Sequence, residues 1–208
     1  MKPACAAQVA DDPEGEGDAA VAGSGQRRLD AAMEQYVDGD IKAFDELYAG
    51  LAPRLYAYLF SLCRNRARTD DLLQTTFYRL HAARGSWIRG ARVLPFAYAI
   101  ARNAAYDDWR KRARARVVLS SSGEISDMPE PEPEGGNSAW VTRVQQALEA
   151  LPPSYREVIV LTKYHDLTIR EAALTIGATE IAVRLRIHRG YTLLRRILAA
   201  SRQGPVDD

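Results

Sequence analysis

Residues 168–189 read TIREAALTIGATEIAVRLRIHR, and this stretch decides the fold of the second half of the chain. Thr168 and Glu171 have the spacing of a capping box, in which each side chain satisfies a free backbone donor in the first turn of a helix. Gly177 is placed to end that helix in a left-handed conformation, and Thr179 is placed to cap the next one. Two helices joined by a short turn that contains glycine predict a helix-turn-helix.

The helix after Thr179 has two different faces. Val183 and Ile187 belong to an apolar side that can pack on the preceding helices. Residues 181–202 contain six arginines and no acid, whereas a solvated helix usually mixes the two signs. We therefore expect this helix to dock in a DNA major groove, although a merely soluble basic face stays open as an alternative. The other side carries Ile181, Arg184, Leu185, His188 and Thr192, flanked by Arg186, Arg189, Arg195 and Arg196.

The remaining folded segments also read as helices, so the predicted fold class is all-α. In the first half of the chain, Asp40 can cap a helix, Pro53 can open a second and Thr69 can cap a third. In the second half, a helix is expected to end at Pro152-Pro153, and Ser154 can cap the one that follows. No period-2 strand pattern of useful length occurs in the sequence.

A loop rich in glycine and arginine, Arg84–Val93, leads into a long helix that is expected to begin at Pro95 and run to about Arg114. Basic side chains that follow a nucleic-acid backbone, with aromatic ones that stack on exposed bases, suit single-stranded nucleic acid. Helical aromatic residues are more often part of a core, but Trp87 in the loop is harder to explain in that way. The helix carries Arg102, Arg110, Lys111, Arg112, Arg114 and Arg116, interleaved with Tyr106 and Trp109.

The formal net charge of +1 hides a segregation of charge along the chain. Residues 27–116 carry a net charge of +7 and residues 139–206 carry +5, whereas 1–26 carry −4 and 117–138 carry −5. Basic blocks of this size are expected for a polyanionic partner. We expect a disordered acidic extension over 1–26, a helical domain over 27–116, a flexible acidic linker over 117–138, a helix-turn-helix domain over 139–203 and a tail over 204–208.

Composition excludes several other classes of protein. No stretch approaches the ~20 apolar residues of a membrane span, and we expect no secretory signal. Cys5 and Cys63 make neither a disulfide framework nor a metal cluster, so a reducing cytoplasm fits the chain. We expect no catalytic site, no metal and no cofactor, because no phosphate-binding loop, ligand spacing or activated nucleophile occurs. The conspicuous groups of acids and histidine are Asp70-Asp71, Asp107-Asp108 and His165-Asp166.

Four motifs follow one another along the chain: TDDLLQTTF at 69–77, PFAYAIARN at 95–103, LPPSYREV at 151–158 and AVRLRIHR at 182–189. In this order, around an acidic linker, they resemble the sigma-70 family of bacterial transcription initiation factors, specifically its small two-domain extracytoplasmic-function (ECF) group. The resemblance covers about Leu29–Arg116 and Val141–Leu198. It implies a region 2 domain in the first unit and a region 4 helix-turn-helix in the second.

The resemblance also implies roles for particular residues. Similar proteins grip the clamp coiled coil of core RNA polymerase with the helix that holds Asp70, Asp71 and Gln74, and they bind promoter DNA with both units. The residues that the resemblance places at the −10 element are Trp87, Arg89, Arg92, Arg102, Asn103, Trp109, Arg110 and Arg112. Those that it places at the −35 element are Thr179, Arg184, Leu185, Arg186, His188 and Arg189.

Proteins of this group are commonly held inactive by an anti-sigma factor that clamps both domains. We therefore expect such a partner, and we expect Ser120–Asn137 to let the two units of the free chain move independently. The sequence departs from the family pattern at Thr75, where glutamate is usual, and at Phe96, where tryptophan is common. Leu185, Gly190 and Tyr191 also depart from it, which predicts an unusual promoter preference.

Two alternatives remain open on the sequence alone. A helix-turn-helix regulator that never touches polymerase would explain the second unit but would leave the first without a role. An enzyme is the weaker alternative, because the acid pairs are explained by helix starts and loop ends. A sigma factor should co-purify with core polymerase and be nearly inert on duplex DNA alone, whereas a repressor should bind its operator unaided.

Overall fold

A computed structural model describes the backbone of residues 15–120 and 139–200, and within these ranges the chain is helical with no strand, as predicted. In these described ranges, four helices belong to the first unit and four to the second, with a short 3-10 turn, Arg84–Ser86, between α3 and α4. The helices are α1 (Gly15–Val37), α2 (Ala43–Cys63), α3 (Arg66–Ala83), α4 (Val93–Ser120), α5 (Ala139–Glu149), α6 (Pro153–Lys163), α7 (Ile169–Ile176) and α8 (Glu180–Ala200).

Helix α1 corrects the expectation of a disordered segment over 1–26. Residues 15–26 form the first turns of α1, while 1–14 lie outside the described residues. Residues 117–120 of the predicted linker belong to the last turn of α4, whereas 121–138 of that linker and 201–208 at the end lie outside the described residues. Leu29, Met33 and Tyr36 are buried, and their spacing lays one side of α1 along α2.

Helix α2 corrects the expectation that Pro53 opens a new helix. Pro53 lies inside a single helix that begins at Ala43, and Asp40 accepts a hydrogen bond from the Lys42 amide (2.9 Å) just ahead of it. One buried stripe continues in phase through the proline, from Leu47 to Leu59. Proline inside a helix costs about 3 kcal/mol, because it removes a backbone hydrogen bond and its ring meets the preceding turn. The free energy gained by burying the apolar stripe outweighs this cost.

Three predicted helix caps are also wrong. Lys42 rather than Asp40 is the N-cap residue of α2, and no side chain caps that helix. Asn65 caps α3, since its side chain accepts from the Arg68 amide at 2.9 Å, whereas Thr69 is fully buried one turn inside the helix. Helix α6 begins at Pro153 rather than after Ser154. Proline suits the first position of a helix because its missing donor would be unsatisfied there anyway.

The predicted helix-turn-helix is confirmed in its local details. Thr168 and Glu171 form the capping box, with the Thr168 amide donating to the Glu171 carboxylate at 2.8 Å. Gly177 ends α7 with φ of 67°, and Thr179 accepts from the Ala182 amide at 3.2 Å at the start of α8. The turn and its two helices therefore form from short-range signals.

The two units pack against each other, contrary to the expectation of independent domains. Helix α4 contacts α7, and α2 contacts α6. His165, in the turn after α6, is buried between the rings of Tyr58 and Tyr98, with centroids 5.8 and 5.0 Å away. Burial, reinforced by Arg54, lowers the pKa of His165 from 6.5 to about 4, while Asp166 opposes the shift.

Replacing Gly177 with alanine should lower the free energy of unfolding by about 1–2 kcal/mol, because only glycine adopts its positive φ without strain. An added Cβ would meet no atom within 4 Å, so the effect is purely one of backbone conformation. Urea denaturation followed by circular dichroism measures the loss. Gly177→Asn is the matched control, since asparagine tolerates the left-handed region. Equal losses in the two variants would contradict this account.

Acidification should destabilise the packed chain through His165. Its pKa is depressed in the folded protein, so its contribution is complete above about pH 6.5 and is lost as the pH falls toward about 4. Between about pH 6.5 and about pH 5.5 the loss should be roughly 1 kcal/mol. Urea midpoints of the wild type and of His165→Gln across that interval measure it. The same slope in both proteins would show that another group titrates.

Candidate polymerase and nucleic-acid interfaces

Helix α8 presents the predicted basic face to solvent. Arg184, Leu185, His188 and Arg189 are exposed and Arg186 is half-buried, while Thr179 is exposed at the start of the helix. The ion pair that Arg184 makes, with Glu180 one turn earlier at 3.8 Å, is loose and exposed. These side chains remain available to a partner, since exposed pairs of this kind contribute little.

The opposite side of α8 packs inward, and it includes one of the departures from the family pattern. Val183 is fully buried, and Gly190 lies where an added Cβ would stand 2.8 Å from Ile159 Cδ1. Gly190 thus permits the close approach of α8 to α6. Its buried position gives it no contact with DNA, so the unusual promoter preference expected from the sequence does not follow from Gly190. Leu185, by contrast, lies on the exposed face.

Helix α3 separates an apolar side from an acidic one. Leu72, Phe77 and Leu80 face the core of the first unit. Asp70, Asp71 and Gln74 are exposed on the other side, as the spacing predicted. Tyr78 extends this surface by one turn with 75% of its area exposed, and the sequence reading did not include it.

Ion pairs fix α3 against α4. Arg68 contacts Asp108 and Arg79 contacts Asp107, each at 2.8 Å. The Asp107-Asp108 pair, which stood out in the sequence, therefore joins two helices.

Five of the eight residues predicted to bind the −10 element lie on the surface of the first unit. Asn103, Trp109, Arg110 and Arg112 are exposed along α4, with 63% of the Trp109 side chain accessible. Arg89 is exposed in the loop before α4 and pairs with Asp38 of the α1–α2 turn. The hydrogen bond from Arg89 holds the pKa of the Asp38 carboxyl below its usual value.

Trp87 is a core residue, which corrects the prediction that it stacks on exposed bases. Only 5% of its area is accessible, and it belongs to the same apolar cluster as Leu80 and Val93. The 3-10 turn after α3 directs the indole inward, a direction that its position in a glycine-rich loop did not reveal. No partner for its Nε1 is found within the described ranges.

Arg92 and Arg102 are engaged by the second unit. Arg92 Nη1 donates to both carboxylate oxygens of Glu171 at 2.8 Å, and Arg102 Nε donates to Glu157 Oε1 at 2.8 Å. These are charge-assisted bonds in partly buried settings, which makes them stronger than surface pairs. Both arginines were predicted to contact the −10 element, and in this arrangement both contact carboxylates.

Glu157 is the centre of a buried polar network between the units. Only 3% of its area is exposed, and besides Arg102 it accepts hydrogen bonds from Tyr58 (3.1 Å) and Tyr106 (3.4 Å). Burial, followed by the charge of Glu157, raises the pKa of Tyr58 well above its usual value. The sequence reading missed Glu157, although its position next to Val158 and one turn before Leu161 places an acid beside an apolar stripe.

Two further properties concern only the part of the chain that the structure describes. It contains no group of three histidine, cysteine, aspartate or glutamate side chains placed to hold a metal ion. None of its helices is both long and apolar enough to cross a membrane.

Comparison with protein families and known proteins follows the same division. The Sigma-70 region 2 family model matches residues 47–115, and the Sigma-70 region 4 model matches residues 142–194. The chain is 34% identical to RNA polymerase sigma factor CarQ of Myxococcus xanthus over 166 residues, 80% of this chain and 95% of that protein. It is 29% identical to ECF RNA polymerase sigma factor SigF of Caulobacter vibrioides over 170 residues, 81% and 93% of the two chains.

Solved structures give a consistent result. The sigma factor RpoE of Bartonella quintana, solved with the anti-sigma factor NepR, superposes with a TM-score of 0.66 at 26% identity, over 76% of this chain and 98% of that one. CnrH, solved with the cytosolic domain of CnrY, superposes with a TM-score of 0.63 at 26% identity, over 83% and 98% of the chains. With both regions present in order, the chain belongs to the ECF group of the sigma-70 family.

Proposed function

We propose that this protein binds core RNA polymerase and directs it to promoters by recognising the −35 and −10 elements and helping to melt the latter. The observation that carries the proposal is the presence, on one chain, of an acidic face on α3 and of basic faces on α4 and α8. A regulator that works without polymerase would leave the α3 face and the whole region 2 match without a role. Run-off transcription with core polymerase on fragmented genomic DNA tests the proposal directly.

The second unit, 139–203, is the proposed −35 reader. Helix α8 follows a short turn and carries its exposed basic side chains from its first turns onward, which is the geometry of a recognition helix. Arg184 and His188, one turn apart, are the proposed base readers, and Leu185 between them supplies an apolar contact. Thr179, Arg186 and Arg189 are proposed to hold the phosphates on either side.

The first unit, 27–116, is the proposed −10 binder. Asn103, Trp109, Arg110 and Arg112 are exposed along α4, where an aromatic ring stands among cations. Such a combination suits a melted strand, because cations follow the phosphates while the ring stacks on a base. Arg89, Arg92 and Arg102 are proposed to join these residues, the last two only when they are released from the second unit. Trp87 is not among them because the ring is buried.

Asp70, Asp71 and Gln74 are the proposed contacts to the polymerase clamp. They are exposed on a helix whose other side is fixed in the core, so they form a rigid surface on an otherwise basic unit. Charge complementarity of this kind steers association and fixes its orientation. Thr75, half-buried beside them, replaces the glutamate that is usual in similar proteins.

We also infer that the polymerase supplies the chemistry, so that this chain is not an enzyme, and that it works in the cytoplasm with the transcription machinery. Both structural relatives were solved with a second protein, an anti-sigma factor in the case of RpoE. By this analogy, a protein partner that holds the chain inactive is proposed here as well.

Asp71→Ala combined with Gln74→Ala should weaken the binding of core polymerase about 10-fold or more, since two exposed contacts of an interface are removed together. Both side chains point to solvent, so the fold should be unaffected. Titration of core polymerase with fluorescently labelled protein measures the affinity. Asp45→Ala, which removes an exposed acid from α2 of the same unit, is the control. Unchanged affinity of the double variant would refute the clamp assignment.

Arg184→Ala should reduce transcription more at the best promoter than at −35 variants, because a bidentate contact of arginine with guanine discriminates by about 1–3 kcal/mol. Run-off transcription on a panel of single-base −35 variants measures the difference. Arg195→Ala is the matched control, an exposed arginine three turns further along α8, and it should act equally on all templates. A uniform loss with Arg184→Ala would instead make Arg184 a phosphate contact.

A further inference from the structure

Among the residues that the structure describes, three ion pairs across the joint between the two units share the same polarity. Arg64 contacts Glu149 at 2.5 Å, Arg92 contacts Glu171 at 2.8 Å, and Arg102 contacts Glu157 at 2.8 Å. In each pair the arginine belongs to the first unit and the glutamate to the second. This common polarity makes the joint an electrostatic contact with a definite orientation.

The glutamates of the joint are a large part of the acidic side chains that the second unit has. Residues 139–206 contain five acids, and three of them lie in these pairs. Two of the three carboxylates are well covered, since 3% of the Glu157 side chain and 12% of the Glu171 side chain are exposed, whereas Glu149 lies at the edge of the joint. The second unit therefore has most of its few acidic side chains at the joint, opposite arginines of the first unit.

The same joint occupies groups that promoter DNA needs under the proposed function. The guanidinium of Arg102 is bonded to Glu157 and lies 4.4 Å above the ring of Tyr106, while Arg92 gives one nitrogen to both oxygens of Glu171. Carboxylate and phosphate oxygens compete for the same donors of an arginine. Helix α7 also covers part of α4, since Thr175 donates to the Pro95 carbonyl at 3.4 Å.

We propose that Glu149, Glu157 and Glu171 hold the free protein in a closed, autoinhibited arrangement, in which the second unit withholds the arginines of the first from nucleic acid. The effect on DNA binding rests on the proposed function, whereas the closed arrangement of the two units does not depend on that function. DNA binding then requires opening of the joint, and the apparent affinity is reduced by the fraction of molecules that are open.

The test uses the full chain with Glu157→Gln, Glu149→Gln and both together. Glu157→Gln leaves Arg102 partly buried without a charge partner, which is costly. Glu149→Gln is the milder variant, because 39% of that side chain is exposed and the fold should tolerate the change. This variant therefore tests the proposal even if Glu157→Gln is unstable. Glu46→Gln is the control, since it removes the same charge from an exposed pair with Arg28 inside the first unit.

Small-angle scattering and the binding of fluorescent oligo(dT), an unspecific single strand, are measured for each protein. The joint variants should show a larger radius of gyration than the wild type and should bind oligo(dT) at least about fivefold more tightly, with the double variant most affected. Glu46→Gln should match the wild type in size and gain far less binding.

Two results would overturn the proposal. If the joint variants, including the double variant, keep the scattering profile of the wild type, the pairs of Glu149 and Glu157 do not hold the units together and the proposal is wrong. If the variants expand but gain no more oligo(dT) binding than Glu46→Gln, the joint does not withhold the arginines. Failure of the proposed function is a separate result, since wild-type protein would then give no run-off transcript with core polymerase whatever the scattering shows.

Discussion

The arrangement of the chain depends on one buried carboxylate, that of Glu157. A charged group with 3% of its area exposed is tolerated only where partners replace the water that it has lost, and here Arg102, Tyr58 and Tyr106 do so. The acid belongs to α6, whereas all three partners belong to the first unit. When the units separate, water must therefore solvate charged and polar groups on both of them. When the units close, Glu157 must meet all three of its partners at once.

Features that depend on neighbours within one turn or two were predictable from the sequence. The capping box of Thr168 and Glu171, the left-handed Gly177 and the exposed face of α8 all follow from spacing along a single helix. The acidic face of α3 was found in the same way. Helix α1 carries an equally clear signal in Leu29, Met33 and Tyr36, and the sequence reading overlooked it because the acidic residues ahead of it dominated the composition.

Features that depend on distant parts of the chain were not predictable by that route. Pro53 stays inside α2 because burial of the surrounding stripe decides the matter, and that burial requires α1 and α4. Trp87 is buried because its ring packs into the apolar cluster of the first unit, and no pattern in the neighbouring sequence indicates that packing. The partners of Arg92 and Arg102 lie 79 and 55 residues away, so only the tertiary structure shows that these cations are occupied.

Net charge alone would predict that the two units repel each other, because residues 27–116 carry +7 and residues 139–206 carry +5. The units pack nevertheless, because three acids of the second unit lie at the joint, where each is within ion-pair distance of an arginine of the first unit. The repulsion between the remaining charges persists, and it opposes closure at longer range. A contact that consists of a few ion pairs between two basic units is shifted substantially by the loss of a single carboxylate, and the proposed opening of the joint requires this sensitivity.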